Sequence, residues 1–178
     1  DVAAFTRRDI EPLPVPPDDA AARTQGREIL GLIGRSGHFG HAIPKAYGGQ
    51  SEQTDLRSCA LVRETLAAAS PLADLIFAVQ CLGSMPLVVF GDEAQKKRWL
   101  PAVARGEVMA AFAMSEPEAG SDVSSIKTMA RLEGDHYVID GFKTLISNAG
   151  IADFYNVFAT TDASKGSRGI SCFVLANR

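Results

Sequence analysis

At 178 residues, 46% hydrophobic and 22% charged, the chain can bury a real core in one or two small domains, which excludes a disordered tail. Its net charge of −3, with acids and bases interspersed, lacks the clustered Lys and Arg of a nucleic-acid surface. Cys59, Cys81 and Cys172 are far apart and form no CxxC, so they read as reduced thiols of an intracellular protein.

Residues 1–17, with Pro12, Pro14, Pro16 and Pro17, read as a lead-in of one short helix and then an extended segment. No signal peptide is legible there, and since the chain begins with Asp rather than Met this says little about targeting. Asp18 or Asp19 caps a helix that runs to about Arg35 and stops at Gly37. Residues 38–53 form a Gly-rich connection. Helical pattern resumes at Asp55, and from Pro71 the spacing Leu72, Leu75, Ile76, Val79, Leu82 makes a helical stripe. Pro71 to Phe90 is the longest apolar run, but Asp74, Gln80, Gly83 and Pro86 interrupt it, which predicts buried helices rather than a membrane span. Gly91 ends a further helix. Asp92 and Gln95, at capping-box spacing, start another that ends near Gly106.

Beyond Gly106 strand patterns follow at 108–114, 124–133, 136–140, 142–147, 153–161 and 169–176, with turn pairs Gly134-Asp135 and Asp140-Gly141. The predicted class is therefore α+β. An all-α domain spans 1–106, and an antiparallel sheet or barrel-like domain spans 107–178.

The apolar run Val108 to Met114 breaks at Ser115-Glu116-Pro117-Glu118-Ala119-Gly120-Ser121-Asp122. Such a switch leaves backbone N–H groups open and lets a ligand approach the main chain. Hydroxyls beside a free backbone can grip a polar heteroaromatic ring or a phosphate. An ordinary turn capped by Asp122 is the plain alternative. His38-Phe39-Gly40-His41 lacks a nearby Cys and falls in a turn, so no metal site is expected. Gly31, Gly34, Gly37 and Gly40 have no GKS or GKT after them, which argues for a crowded helix end rather than a phosphate loop. Lys96, Lys97 and Arg98 read as a solvated face, and Leu145-Ile146-Ser147, on its own pattern, as an alternating strand with a buried Leu.

Four blocks, in order, resemble the acyl-CoA dehydrogenase family. They are Ile43-Pro44-Lys45-Ala46-Tyr47-Gly48-Gly49, the stretch from Gly91 to Pro101, Phe112 to Asp122, and Asp140 to Gly150. The resemblance implies the family's N-terminal helical domain and part of its flavin-binding middle β-domain, with the C-terminal helical domain lying outside the chain. It implies FAD as cofactor. Phe112 and Met114 would flank the flavin ring, with Ser115 at the N1/O2 edge. Gly120 and Ser121 would lie at the pyrophosphate and Ser147 at N5. Leu145 stands where many members carry Trp. The implied reaction is oxidation of a saturated acyl-CoA thioester to trans-2-enoyl-CoA, as in fatty-acid β-oxidation, with electrons passed to an electron-transferring flavoprotein. The family's carboxylate base is expected beyond Arg178, so no catalytic residue is assigned in this chain, and the chain alone is expected to be inactive. A homo-oligomer, dimer or tetramer, is implied, in the bacterial cytoplasm or a mitochondrial matrix. A flavin oxidase or monooxygenase on the same scaffold, or a non-catalytic binding protein that kept the fold, are the alternatives.

Overall fold

The computed structural model describes residues 1–177, which fall into two compact units that divide between Ala110 and Ala111. In the first, α1 (Val2–Phe5) continues into a π-helical turn, Thr6–Ile10. Then come α2 (Asp19–Ser36), α3 (Leu56–Ala69), α4 (Pro71–Phe90) and α5 (Glu93–Ala104). The caps are side chains that satisfy orphan amides at helix starts. Asp18 accepts from Ala21 N at 2.8 Å, Asp55 from Ser58 N at 3.1 Å and Ser70 from Ala73 N at 3.3 Å. The Asp92/Gln95 capping box is present with both of its bonds. Gly37 ends α2 in the left-handed conformation, φ 81°, where a Cβ would be strained.

Helix α4 is the middle of this unit and packs against α2, α3 and α5. The expectation of two helices between Pro71 and Gly91 is corrected, since one continuous helix runs through Pro86. Pro86 lies on a half-buried side of that helix, where loss of one N–H bond is tolerated more readily than in a dry core. Among the described residues α4 is the one helix long and apolar enough to cross a membrane. Its inward face, Ala73, Ile76, Phe77, Gln80, Ser84 and Leu87, is buried inside the helical unit. Phe77 stacks on Phe39 at 5.6 Å between ring centroids. Gln80, fully buried, donates to Val108 O at 2.7 Å and accepts from Ala110 N at 2.9 Å, so one amide satisfies two backbone groups where the chain leaves the helices. His38 and His41 stack at 6.0 Å in a 3-10 turn, and no group of three metal-ligating side chains occurs among the described residues.

The second unit carries a sheet of β1 (Ala110–Ala113), β2 (Met129–Glu133), β3 (His136–Asp140), β4 (Phe154–Thr160) and β5 (Ile170–Ala176). The strand order is β1-β4-β2-β3, with β5 also on β4. β2–β3 is an antiparallel hairpin closed by Gly134-Asp135, Glu133 facing His136, with Gly134 at φ 66°. β4–β5 is antiparallel from Phe154↔Ala176 to Thr160↔Ile170. Two sequence expectations are corrected. The sheet is not purely antiparallel, because β2 meets β4 in parallel at Met129↔Thr160. The stretch 124–133 is strand only from Met129, because Asp122 captures Ser124 N at 3.1 Å and the hydroxyls of Ser124 and Ser125, winding Val123–Ser125 into a 3-10 turn.

Candidate cofactor site

Strand β1 covers only Ala110–Ala113 of the 108–114 run expected, stopping one residue short of Met114, and the loop that follows is tightly organised. Glu116 N donates to Ala119 O at 3.0 Å and Ala119 N donates back at 3.2 Å, which pinches Pro117 and Glu118 into a turn. Gly120 and Ser121 emerge from that turn exposed, and a Cβ built on Gly120 would meet nothing within 4 Å. The main chain at Gly120 is unobstructed, while the Glu116 and Ala119 amides are already paired within the turn.

The segment 142–147 is not a strand. It runs irregularly into a turn, with Leu145 at φ 55° and Asn148 at φ 65°. Leu145, read from its pattern as a buried strand residue, is instead 92% exposed, and Ser147 is exposed too. The cause is tertiary. Thr144 N donates to Ser115 O at 2.9 Å, and Lys143 Nζ donates to Met114 O at 2.9 Å and pairs with Glu116 at 2.8 Å. These bonds hold 143–144 against 114–116 and leave no extended ladder for the residues that follow. The turn is closed from the other side by Gly150 N donating to the Tyr155 hydroxyl at 2.8 Å.

Of the residues predicted for the site, the structure ties Met114 and Ser115, half-buried at the end of β1, directly to the 143–144 segment. Leu145 and Ser147 line one open concavity of about 590 Å³ with Lys143, Thr144, Ile146 and Ala149. Phe112 lies earlier on β1, its ring 4.8 Å from Phe158 of β4 and tilted 51°. Gly120 and Ser121 lie past the Glu116–Ala119 turn and do not line that concavity.

Sequence reasoning missed the pair at the centre. Glu116 is 8% exposed, and its carboxylate also accepts from Lys127 N at 2.6 Å and Thr128 N at 3.0 Å. Burial alone would push the carboxyl up. The Lys127 amide, the Lys143 ammonium and the Thr128 amide outweigh it and hold the group at about 2. Opposite charges do occur in the two stretches expected at one site, but Phe112–Asp122 holds Glu116, Glu118 and Asp122 against the single Lys143 of Asp140–Gly150, and nothing in the sequence singles out Glu116 as the buried partner. A smaller cavity of about 230 Å³, lined by Glu116, Pro117, Glu118, Lys127, Thr128, Gly141 and Phe142, sits beside the pair.

The segment carrying Ser115 and the segment carrying Ser147 are thus tied together through the Ser115–Thr144 bond and the Glu116–Lys143 pair, with an unobstructed backbone at Gly120 further along the first. The chain matches the acyl-CoA dehydrogenase N-terminal domain over residues 1–107 and the acyl-CoA dehydrogenase middle domain over 111–178, and it belongs to that family. It is 38% identical over 174 residues to "Probable acyl-CoA dehydrogenase fadE25" of Mycobacterium leprae, covering 98% of this chain and 44% of that one. The solved butyryl-CoA dehydrogenase of Megasphaera elsdenii superposes with a TM-score of 0.83 at 32% identity, over 99% of this chain and 46% of that one. An acyl-CoA dehydrogenase from Bacillus anthracis, solved in complex with FAD, superposes at 0.80 and 32% identity, over 98% of this chain and 29% of that one. The chain thus spans less than half the length of these relatives.

Proposed function

We propose that the intact protein is an FAD-dependent acyl-CoA dehydrogenase that converts a saturated acyl-CoA thioester to the trans-2-enoyl thioester and passes the electrons to an electron-transferring flavoprotein. The observation that carries the reading is the Ser115 O–Thr144 N bond, which joins the two blocks the family resemblance assigns to one flavin. The donor set fits that group: hydroxyls on both segments, an open backbone at Gly120, and a cation already neutralised by its own carboxylate. Bound FAD supplies the acceptor for the hydride that leaves the substrate's β-carbon. In this reading the Ser115 hydroxyl hydrogen-bonds the N1/O2 edge, where negative charge grows on reduction, and Ser147 donates at N5. Gly120 and Ser121 receive the pyrophosphate, and Phe112 and Met114 lie along the ring. Glu116 is unsuited to remove the substrate's α-proton, since its pKa is held at about 2 and its oxygens accept three bonds. The family resemblance assigns the base outside residues 1–178, and residues 1–178 alone are expected not to turn over. The same reading makes the intact protein a dimer or tetramer of the bacterial cytoplasm or mitochondrial matrix, and a monomer in analytical ultracentrifugation would count against it.

Alanine at Ser115 or Ser147 removes one hydrogen bond to a charged form of the flavin, worth about 1.5–3 kcal/mol. Each variant of the intact protein should shift the flavin potential or slow its reduction by an acyl-CoA. Identical spectra, potentials and reduction rates in both variants would defeat these assignments.

One observation favours the oxidase alternative. Leu145 is 92% exposed, with no aromatic cover at the position where many members carry Trp. Because its side chain is not in a core, Leu145→Trp should leave the melting temperature within a few degrees while changing flavin fluorescence and slowing reoxidation of the reduced protein in air. A large loss of stability with an unchanged flavin spectrum would contradict the exposed placement. Rapid reoxidation of the wild type by oxygen would move the reading to an oxidase.

A further inference from the structure

The Glu116 and Lys143 side chains are only 7% and 12% exposed, and their 2.8 Å bond lies between two segments that carry little other regular structure. Each partner has further ties. Glu116 reaches the amides of Lys127 and Thr128 at the entry to β2, and Lys143 reaches the carbonyl of Met114 at the exit from β1. Three stretches far apart in sequence therefore meet at one ion pair. Lys143 also lines the concavity bordered by Leu145 and Ser147, whereas Glu116 lines the smaller cavity, so one member of the pair borders each. The exposed Lys127–Glu118 ion pair nearby, with both side chains about three-quarters exposed, offers an internal contrast.

We propose that the Glu116–Lys143 pair is the positioning element of the cofactor site, fixing the spacing between the Ser115 segment and the Leu145–Ser147 segment so that their two hydroxyls address one flavin. The inference rests on the FAD reading above. Neither residue is assigned contact with the cofactor; each acts through the backbone it holds. Breaking a buried pair from one side leaves the other charge uncompensated, and the segments on either side lose their common anchor.

The test uses the intact protein and compares FAD affinity, the visible absorption bands of bound flavin and the melting of the apoprotein. Glu116→Gln and Lys143→Met should each raise the FAD dissociation constant by about tenfold or more and shift the bands of the flavin that remains bound. The double variant should be no weaker than the worse single one, because the two residues act as one unit. Lys143→Arg keeps the charge and should restore affinity to within roughly threefold of wild type, with the bands still displaced because the donor has moved. Glu133→Gln, the same charge change in the exposed Arg131–Glu133 pair of the same sheet unit, should alter nothing. Unshifted bands and wild-type affinity in both single variants overturn the proposal. So does FAD loss that follows apoprotein unfolding alone, with unshifted bands in the folded fraction, since the pair would then only stabilise. If Glu116→Gln does not fold, Lys143→Arg decides: displaced bands at an unchanged melt support the proposal and unshifted bands overturn it. Wild-type protein that neither carries nor takes up FAD would instead remove the cofactor reading itself, before any variant is compared.

Discussion

Gly49→Ala should destabilise the helical unit by roughly 3 kcal/mol, near the top of the range for forcing atoms into a packed site. A Cβ at Gly49 would fall inside the Ile43 carbonyl and lie 2.9 Å from the Gly40 carbonyl oxygen. Those are backbone atoms and cannot rotate away. The turn around them is cinched by Gln50 N to Gly40 O at 2.8 Å, Lys45 N to Ser51 O at 2.8 Å and Gly49 N to Pro44 O at 3.1 Å. Relief would require breaking bonds that close the Pro44–Ser51 turn. Gly34→Ala should behave alike, since its Cβ would strike the Arg105 carbonyl and sit 2.6 Å from Gly106 Cα where α2 meets the end of α5. Gly120→Ala is the matched control, with open space around its Cβ, and should leave the melt within about 0.5 kcal/mol. For a domain of about a hundred residues the two packed variants should melt on the order of 10 °C lower, by Trp99 fluorescence, the one tryptophan, which lies in α5. A change of a degree or two at both packed glycines would show that these backbones do not approach as described.

The contrast between Gly49 and Gly120 also marks what a sequence can carry. Helix starts were legible because each is a local bargain between one side chain and an amide two or three residues on: Asp18, Asp55, and the Asp92/Gln95 box. The β2–β3 hairpin was legible for the same reason, with Gly134-Asp135 between two short runs. The continuous α4 was not, since the local rule says that Pro86 stops a helix, and only packing against α2, α3 and α5 shows why this one goes on. Residues 142–147 alternate as a strand should, yet Lys143 and Thr144 are bound to residues 27 and more positions earlier, and Leu145 turns into the left-handed region. Parallel pairing of β2 with β4 likewise has no local signature. At the candidate site the hydroxyl-bearing residues were readable as motifs. The Glu116–Lys143 pair was not, because an acid and a lysine in separate blocks carry no sign that both will be buried together.

Acid should separate the two units. At Glu116 the folded-state carboxyl is held at about 2 against an ordinary 4.5, with burial opposing ionisation and the Lys127 amide, Lys143 and the Thr128 amide overcoming it. A folded pKa below the unfolded one means that the unfolded chain takes up the proton first. The stabilisation is complete above about pH 4.5 and is lost as pH falls through about 2. The gap is worth about 3 kcal/mol in all, an order-of-magnitude figure at 1.36 kcal/mol per unit. His38, in the helical unit, has its pKa lowered, first by burial and then by neighbouring His41. There too the unfolded state protonates first, but its window opens near the ordinary histidine value of 6.5 and runs downward. The helical unit should therefore weaken on mild acidification, followed by hydrogen exchange of its own amides, while the sheet unit, followed in the same way, holds its stability until the pH drops below about 4.5. Urea titrations of the intact protein at several pH values between about 7 and 3 read both slopes. Glu116→Gln should flatten the sheet unit's dependence below pH 4.5 and leave the His38 window of the helical unit untouched. An undiminished acid slope in the sheet unit of that variant would mean that other carboxylates carry the effect and that Glu116 is not held as its three donors indicate.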